Sequence, residues 1–296
     1  MHENHTPGIR LSAQALYAPV ALSLLAFAAN SLFCRLALRD GAIDASSFTA
    51  LRLGSGALFL ACLVGFGQRR RRLRGSWAGA LALLAYAWLF SIAYLQLQAG
   101  VGALILFGAV QVGMFAYGVL RGEPLQRRVV AGMAIAFAGL LALLLPGADA
   151  PPLSGALLML LSGLAWAAYS LLGKGSSDPL ADTAGNFLRS VPLLAAPLLL
   201  ASDALSISQE GVLYALGSGV LASGAGYSLW YGVVRQLSAQ QAATLQLSVP
   251  VIAAMGAVLL LGEPLSWRLS LASLVVLGGV ALALLPHGQA GEKQKP

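Results

Sequence analysis

The sequence predicts an all-α polytopic membrane protein with ten transmembrane helices, arranged as two inverted five-helix repeats. Hydrophobic residues make up 58% of the 296 residues and charged residues only 10%, against about a quarter charged in soluble domains. The four residues 122–125, Gly-Glu-Pro-Leu, return at 262–265, and each copy stands between two long apolar runs. So few charges cannot cover the surface of a soluble protein, and the repeat divides the chain into two tandem units.

Ten apolar runs are long enough to be membrane spans, at about 1.5 Å per residue across a hydrocarbon core of about 30 Å. They cover 15–37, 45–66, 76–97, 100–120 and 128–146 in the first half, and 152–173, 183–201, 211–234, 239–261 and 267–285 in the second. The first run is too long for a signal-peptide core, so we expect it to be retained. The polar stretch between the halves predicts two units, 1–148 and 149–296.

Arginine and lysine residues in the short loops predict the orientation. Five arginines lie within 69–74, between the second and third spans. If this loop is cytoplasmic, both termini are cytoplasmic, and thirteen of the eighteen basic residues lie inside against three outside. Binding of nucleic acid or anionic lipid is the alternative for such a run, but its position between two spans favours a topology signal. Five spans per unit then force the second unit to insert upside down, as in many secondary transporters.

Few charged residues fall near or within the spans. Arg52 and Arg189 occupy matching repeat positions, about two turns into the second and seventh spans. An ion at this depth indicates either a functional site or a structural pair with backbone carbonyls, and both side chains are near enough to a helix end to snorkel. Glu123 and Glu263 each precede a proline at a predicted helix start, where proline and glutamate are both favourable. We expect a structural role for these glutamates, with a transport role as the alternative.

Amide and aromatic side chains within the spans are the candidate substrate-binding residues. An amide that faces lipid has no hydrogen-bond partner, so we expect these amides to face protein or a water-filled cavity. Aromatic residues recur at four-residue spacing on one face of the third span, and Pro250 predicts a kink in the ninth, where it frees the carbonyl of Gln246. The candidates are Asn30, Tyr86, Phe90, Tyr94, Gln111, Trp166, Tyr169, Tyr227, Trp230 and Gln246. For aromatic residues near span ends, an interfacial belt is the alternative.

Residues for enzyme chemistry are scarce in this sequence. His2, His5 and His287 all lie in the tails, and Cys34 and Cys62 lack metal-ligand spacing. We therefore expect no enzyme activity, no catalytic residue, no metal and no cofactor. The expected partners are a small-molecule substrate and the lipid bilayer, with no nucleic acid. We expect the protein to work as a monomer, and a dimer is left open.

The two five-span units, each with Gly-Glu-Pro-Leu after its fourth span, resemble the EamA-type transporters of the drug/metabolite transporter superfamily. The segment Ala165 to Ser170 is similar to the usual opening of that family's second repeat. The resemblance covers about residues 15–286. It implies a multi-pass exporter of the bacterial cell inner membrane, which moves amino acids or small amphipathic compounds by alternating access.

The resemblance also implies where the substrate binds. In that family the first, third, fourth, sixth, eighth and ninth helices surround a central cavity, and the fifth and tenth lie outside it. YddG-type aromatic amino acid exporters are the favoured subgroup. A multidrug or lipophilic-cation exporter is one alternative, and a membrane scaffold or sensor subunit without transport activity is another.

Overall fold

The computed structural model describes residues 13–66, 72–122, 126–147, 149–200, 205–234, 236–237, 242 and 245–284. In these ranges ten helices follow one another, and no β-strand is present beyond one isolated bridge. They are α1 Ala13–Arg39, α2 Ala45–Phe66, α3 Trp77–Tyr94, α4 Ala99–Leu120, α5 Arg127–Leu144, α6 Leu153–Leu172, α7 Pro179–Leu200, α8 Gln209–Val234, α9 Ser248–Leu261 and α10 Trp267–Leu284.

All but α9 of these described helices are long and apolar enough to cross a membrane. The described part of α9 has 14 residues, and the first turns predicted for the ninth span lie partly outside the described residues. Large apolar side chains on the outer surface are exposed, as at Leu58, Leu259 and Leu274, and lipid is the solvent that suits them. The predicted class, an all-α polytopic membrane protein, is confirmed.

Corresponding helices of the two halves run in opposite directions. We call one end of the bundle the glutamate face, because Glu263 joins the end of α1 through Arg35 and the start of α4 through Ala99. The start of α6 lies at this same face, where the Ser154 hydroxyl donates a hydrogen bond to Gln96 in the α3–α4 loop. The opposite end is the arginine face, where Arg74 lies beside the start of α7. Since α1 ends where α6 begins, the two are antiparallel.

The packing of the helices repeats when every helix is exchanged for its counterpart in the other half. The counterparts of α1, α3 and α4 are α6, α8 and α9. The contact of α3 with α6 therefore corresponds to the contact of α8 with α1, and the contact of α4 with α6 corresponds to that of α9 with α1. The pairs α2–α7, α4–α9 and α5–α10 map onto themselves. A two-fold axis between two five-helix halves produces this pattern. The division of the chain at 148/149 stays a prediction.

Two helices are interrupted where they border the centre of the bundle. In α8 the segment Gly217–Ala225 is π-helical, a geometry that is frequent at functional sites. The regular part of α9 begins at Ser248 after a turn at Leu247. Pro250 therefore lies in the first turn of α9, where its missing N–H costs no helical hydrogen bond. The sequence predicts a kink at Pro250, whereas the interruption lies at Leu247, between Gln246 and this proline.

Candidate functional site: a central aromatic cavity

A cavity of about 1230 Å³ lies between the two halves. This volume exceeds the usual range of small-molecule pockets, about 300–1,000 Å³, so a single amino acid fits with room for water. The residues at its mouth all come from helix ends or loops at the arginine face. They are Tyr117, Gln126, Lys174, Asp182 and Leu284. The cavity is therefore open toward the arginine face.

A continuous row of aromatic rings forms one wall of the cavity. Successive centroids lie 5.5 Å apart from Phe90 to Tyr86, 4.6 Å from Tyr86 to Trp166, and 5.6 Å from Trp166 to Tyr227. The Trp166 and Tyr227 planes are stacked at 20° to each other. These residues come from α3, α6 and α8, so the row joins the two halves. Ring faces at these spacings bind flat apolar groups and, through their quadrupoles, cations.

Nine of the ten sequence-predicted residues line this cavity. They are Asn30, Tyr86, Phe90, Gln111, Trp166, Tyr169, Tyr227, Trp230 and Gln246. Whether they bind a substrate stays a prediction.

The tenth candidate, Tyr94, does not line the cavity, and this part of the prediction needs correction. Its ring is fully buried and packs edge-on against Phe90 at 4.7 Å. Its hydroxyl donates a hydrogen bond to the Ala99 carbonyl at 3.2 Å. A Cβ atom at Gly102 would overlap the same ring. The four-residue spacing does place Tyr94 on the face of α3 that carries Phe90, but the start of α4 covers it.

Asn30 is held at the inner end of the cavity by two serines of the π-helical segment. The Ser218 hydroxyl donates to Asn30 Oδ1 at 2.6 Å, and Asn30 Nδ2 donates to Ser223 Oγ at 3.4 Å. Residues five apart point about 140° from each other in an α-helix, which has 3.6 residues per turn. The i→i+5 pattern of a π-helix brings them to one side. The π-helical turn therefore lets both serines reach one amide.

Arg52 and Arg189 occupy equivalent repeat positions but have different surroundings. Arg189 is half-buried and donates to the backbone carbonyls of Gly185, at 3.1 Å, and Arg74. This is the backbone pairing that the sequence predicts. Arg52 is only 1% exposed, so the snorkelling interpretation is wrong for this residue. Its guanidinium lies 5.2 Å from the ring centroids of both Tyr86 and Phe90.

The glutamate face is closed by contacts between the two halves. Arg35 Nε donates to Glu263 Oε1 at 2.9 Å, and the Ala99 N–H donates to Glu263 Oε2 at 2.7 Å. Beside this pair, Arg39 Nη1 donates to the Leu261 carbonyl at 2.8 Å. Glu263 is thus both a turn residue and one half of an ion pair that spans the halves. Its repeat counterpart Glu123 lies outside the described residues.

The seventh helix contributes to the site, which sequence reasoning missed. Asp182, Thr183 and Asn186 of α7 line the cavity. Thr183 Oγ1 donates to the Tyr231 hydroxyl at 3.0 Å and accepts from the Tyr169 hydroxyl at 3.2 Å. Polar residues recur at 182, 186 and 190, a four-residue spacing that marks one polar face of a helix. This signal was available in the sequence. Helices α5 and α10, which the resemblance places outside the cavity, also line it, through Met133 and Leu284 among others.

Comparison with known proteins identifies the kind of protein to which this cavity belongs. Residues 153–285 match the model of the EamA-like transporter family. A transporter of Bacillus subtilis, YwfM, is 30% identical over 82% of this chain and 86% of its own length. The chain belongs to the EamA-like transporter family. It is accordingly a membrane transporter.

Other relatives of this EamA-like transporter agree with that assignment. A Pseudomonas aeruginosa protein of uncharacterised function is 59% identical over 90% of this chain and 93% of its own length. A Salmonella typhimurium protein named a probable amino-acid metabolite efflux pump is 26% identical over 66% of this chain and 70% of its own. One solved crystal structure matches 92% of this chain and 98% of its own with a TM-score of 0.63 and 19% identity, which supports the fold alone.

The described residues contain no group of three or more His, Cys, Asp or Glu side chains that could hold a metal ion. The three histidines lie outside the described residues. The expectation that the transporter uses no metal and no cofactor stays a prediction.

Proposed function

We propose that this EamA-like transporter exports small amphipathic metabolites, with amino acids, and aromatic ones in particular, as the favoured substrates. The observation that carries the proposal is the row of aromatic rings in a cavity whose other lining groups include the amides Asn30, Gln111 and Gln246. An aromatic amino acid has a flat ring for that row and a polar end for the amides. The name of the Salmonella relative, a probable amino-acid metabolite efflux pump, is consistent with this substrate class.

The transport mechanism that we propose is alternating access in the bacterial cell inner membrane, with both termini cytoplasmic. Support comes from the excess of basic residues on the arginine face and from the bacterial relatives. In this orientation the cavity is open to the cytoplasm and closed to the outside, which is the state that receives an export substrate. Rocking of one inverted half against the other then moves the opening. We propose that it works as a monomer, since the residues that line the cavity belong to one chain, and a dimer stays the alternative.

The orientation is tested by single cysteines in a background with Cys34 and Cys62 replaced by alanine. Arg72 and Ser206 are exposed and lie at opposite ends of the bundle. We expect Arg72→Cys to react with a membrane-impermeant maleimide only from the cytoplasmic side, and Ser206→Cys only from outside. Labelling of both from the same side would contradict the inverted arrangement.

The substrate class is tested by flux in proteoliposomes, screened across amino acids and organic cations. Aromatic amino acid efflux that saturates with concentration supports the proposal. The second candidate is export of lipophilic cations, which the stacked ring faces also favour. Flux of cations without amino acids would select that candidate. Absence of flux for every compound would leave a scaffold or sensor role.

A further inference from the structure

We propose that Arg52 is the group that binds the carboxylate of the transported molecule, so that this transporter selects substrates with an anionic group attached to an aromatic or apolar body. The inference deepens the proposed function and rests on it. It assigns to Arg52 a binding role that differs from the backbone-pairing role of its repeat counterpart Arg189.

The first observation is a buried charge without a counter-ion. Arg52 is 1% exposed, and it takes part in none of the ion pairs found among the described residues. Its Nη1 atom is buried and has no hydrogen-bond partner. A buried cation is ordinarily paired with an acid, because removal from water is costly when nothing replaces the water. Here the partners are two hydroxyls and two rings, so the NH2 group at Nη1 remains available for an anion.

The second observation is the position of this guanidinium beside the cavity. Arg52 Nη2 donates to the Tyr86 hydroxyl at 3.0 Å, and Nε donates to Ser223 Oγ at 3.4 Å. Tyr86 lines the cavity, and Ser223 is bonded to Asn30, which also lines it. The guanidinium therefore lies one side chain behind the inner end of the cavity, between the open half of the transport path and the closed glutamate face.

A carboxylate is the anion that this arrangement suits. The planar guanidinium binds carboxylates through parallel N–H donors, and such charge-assisted bonds are the strong ones. Movement of the Tyr86 hydroxyl off Nη2 offers two N–H donors on adjacent nitrogens. The ring row from Tyr86 to Tyr227 then supports the body of the same molecule. A permanent cation in this place meets an unpaired positive charge, which disfavours lipophilic cations as substrates.

The test compares ligands that differ only in charged groups. The probes are phenylalanine, phenylalaninamide, which lacks the carboxylate, and 3-phenylpropionate, which lacks the amine. Binding to the purified protein in detergent is followed by intrinsic tryptophan fluorescence, since Trp166 and Trp230 line the cavity. We expect the wild-type protein to bind both carboxylates at least tenfold more tightly than the amide, the size of effect that one hydrogen bond to a charged group supplies.

Variants assign this selectivity to one side chain. Arg52→Gln is expected to weaken binding of both carboxylates at least tenfold and to leave amide binding within about twofold. Arg52→Lys, which keeps the charge but loses the planar fork, should fall between the two. Arg189→Gln is the matched control, because it removes an arginine at the equivalent repeat position away from the cavity. It should retain the wild-type preference.

Equal affinity of the wild-type protein for phenylalanine and its amide would overturn the inference, as would an unchanged preference in Arg52→Gln. If Arg52→Gln does not give a monodisperse protein, the wild-type ratio decides: tenfold or more supports the inference and a ratio near one refutes it. Transport of aromatic compounds with no preference for a carboxylate would overturn this inference and leave the proposed function in place. Absence of binding and flux for every probe would overturn the proposed function as well.

Discussion

The ion pair that closes the glutamate face predicts how a single substitution shifts the transport cycle. Glu263 joins two helices of the first half to the turn between α9 and α10 of the second, through Arg35 and the Ala99 N–H. Replacement of Glu263 by glutamine keeps the size of the side chain and one acceptor oxygen but removes the charge. We expect Glu263→Gln to favour the state in which the glutamate face is open.

The size of the shift follows from the burial of the pair. The side chains of Arg35 and Glu263 are 18% and 9% exposed, so solvent screening is weak, whereas an exposed pair contributes only about 0–1 kcal/mol. Hydrogen bonds to a charged group contribute about 1.5–3 kcal/mol, and neutral ones about 1 kcal/mol. Because glutamine has a single acceptor oxygen, one of the two bonds falls from the first class to the second and the other is lost, which together costs about 2 kcal/mol at the lower end of these ranges. The population ratio of open to closed glutamate face should then rise about 30-fold.

A cysteine at position 257 reports this opening. Ala257 of α9 is buried at the contact between the halves, where it packs with Leu32 and Leu36 of α1. Separation of the two halves at the glutamate face exposes this position to an impermeant maleimide. In a background with Cys34 and Cys62 replaced by alanine, Glu263→Gln should raise the rate of labelling of Ala257→Cys about 30-fold.

The control is Asp40→Asn, which removes an exposed ion pair at the same face. Asp40 pairs with Arg39 at 2.8 Å, but its side chain is 72% exposed, so its loss should leave the labelling rate within about twofold. Equal labelling rates in Glu263→Gln and Asp40→Asn would refute the assignment of Glu263 as the closing contact.

Three further predictions concern the cavity, the helix packing and the energy source. Trp166→Ala and Gln246→Ala should each lower proteoliposome flux by about tenfold or more, since each removes a contact of about 1.4 kcal/mol, while expression stays near normal. Gly219→Ala should lower the free energy of unfolding by about 1–3 kcal/mol, measured by denaturation in detergent, because its Cβ would overlap Ser55 and the Arg52 carbonyl. An imposed pH gradient should drive no uphill accumulation in proteoliposomes, because the acid that lines the cavity, Asp182, lies in the first turn of α7 at the mouth, and no acid or histidine lies deeper within the described helices.

Each of these predictions has an outcome that would contradict it. If both cavity variants transport at the wild-type rate, Trp166 and Gln246 contribute to helix packing and not to substrate binding. For Gly219, the matched control is Gly54→Ala on α2, where an added Cβ meets nothing within 4 Å. Equal losses of stability in the two glycine variants would rule out the close approach of α8 to α2 as the cause. Accumulation that a protonophore abolishes would contradict the last prediction, and Asp182 in the cavity lining would be the first candidate for the proton site.

The sequence was sufficient for the class of fold because hydropathy is a local property. Both ends of every described helix lie close to the predicted span boundaries, except for the start of α9. The repeat then gave the relation between the halves, since an odd number of spans inverts the second copy. Most of the cavity lining followed as well, because amides and aromatic rings inside spans have few other places to lie.

What sequence reasoning missed depends on contacts between residues far apart in the chain. Tyr94 and Phe90 are both buried aromatic residues on the same face of α3, and only the start of α4 at Gly102 separates the Tyr94 ring from the cavity that Phe90 borders. Arg52 and Arg189 are equivalent by repeat position. Their burial differs because Arg52 faces Tyr86 of α3 and Ser223 of α8, whereas Arg189 reaches the carbonyl of Arg74 near the arginine face. No local pattern distinguishes these cases.

Residues at equivalent repeat positions lie in a closed contact at one end of the bundle and at the open mouth of the cavity at the other. Arg35, near the end of α1, lies in the closed contact at the glutamate face. Lys174 is its counterpart at offset 139 and follows the end of α6, where it lines the open mouth of the cavity at the arginine face. Inverted halves that adopt two different packings can exchange them without a change in the fold of either half. The packing around Arg35 is therefore that of a closed face, and the packing around Lys174 is that of an open face. In the proposed alternating access, contacts like those of Arg35 form around Lys174 when the arginine face closes and the glutamate face opens.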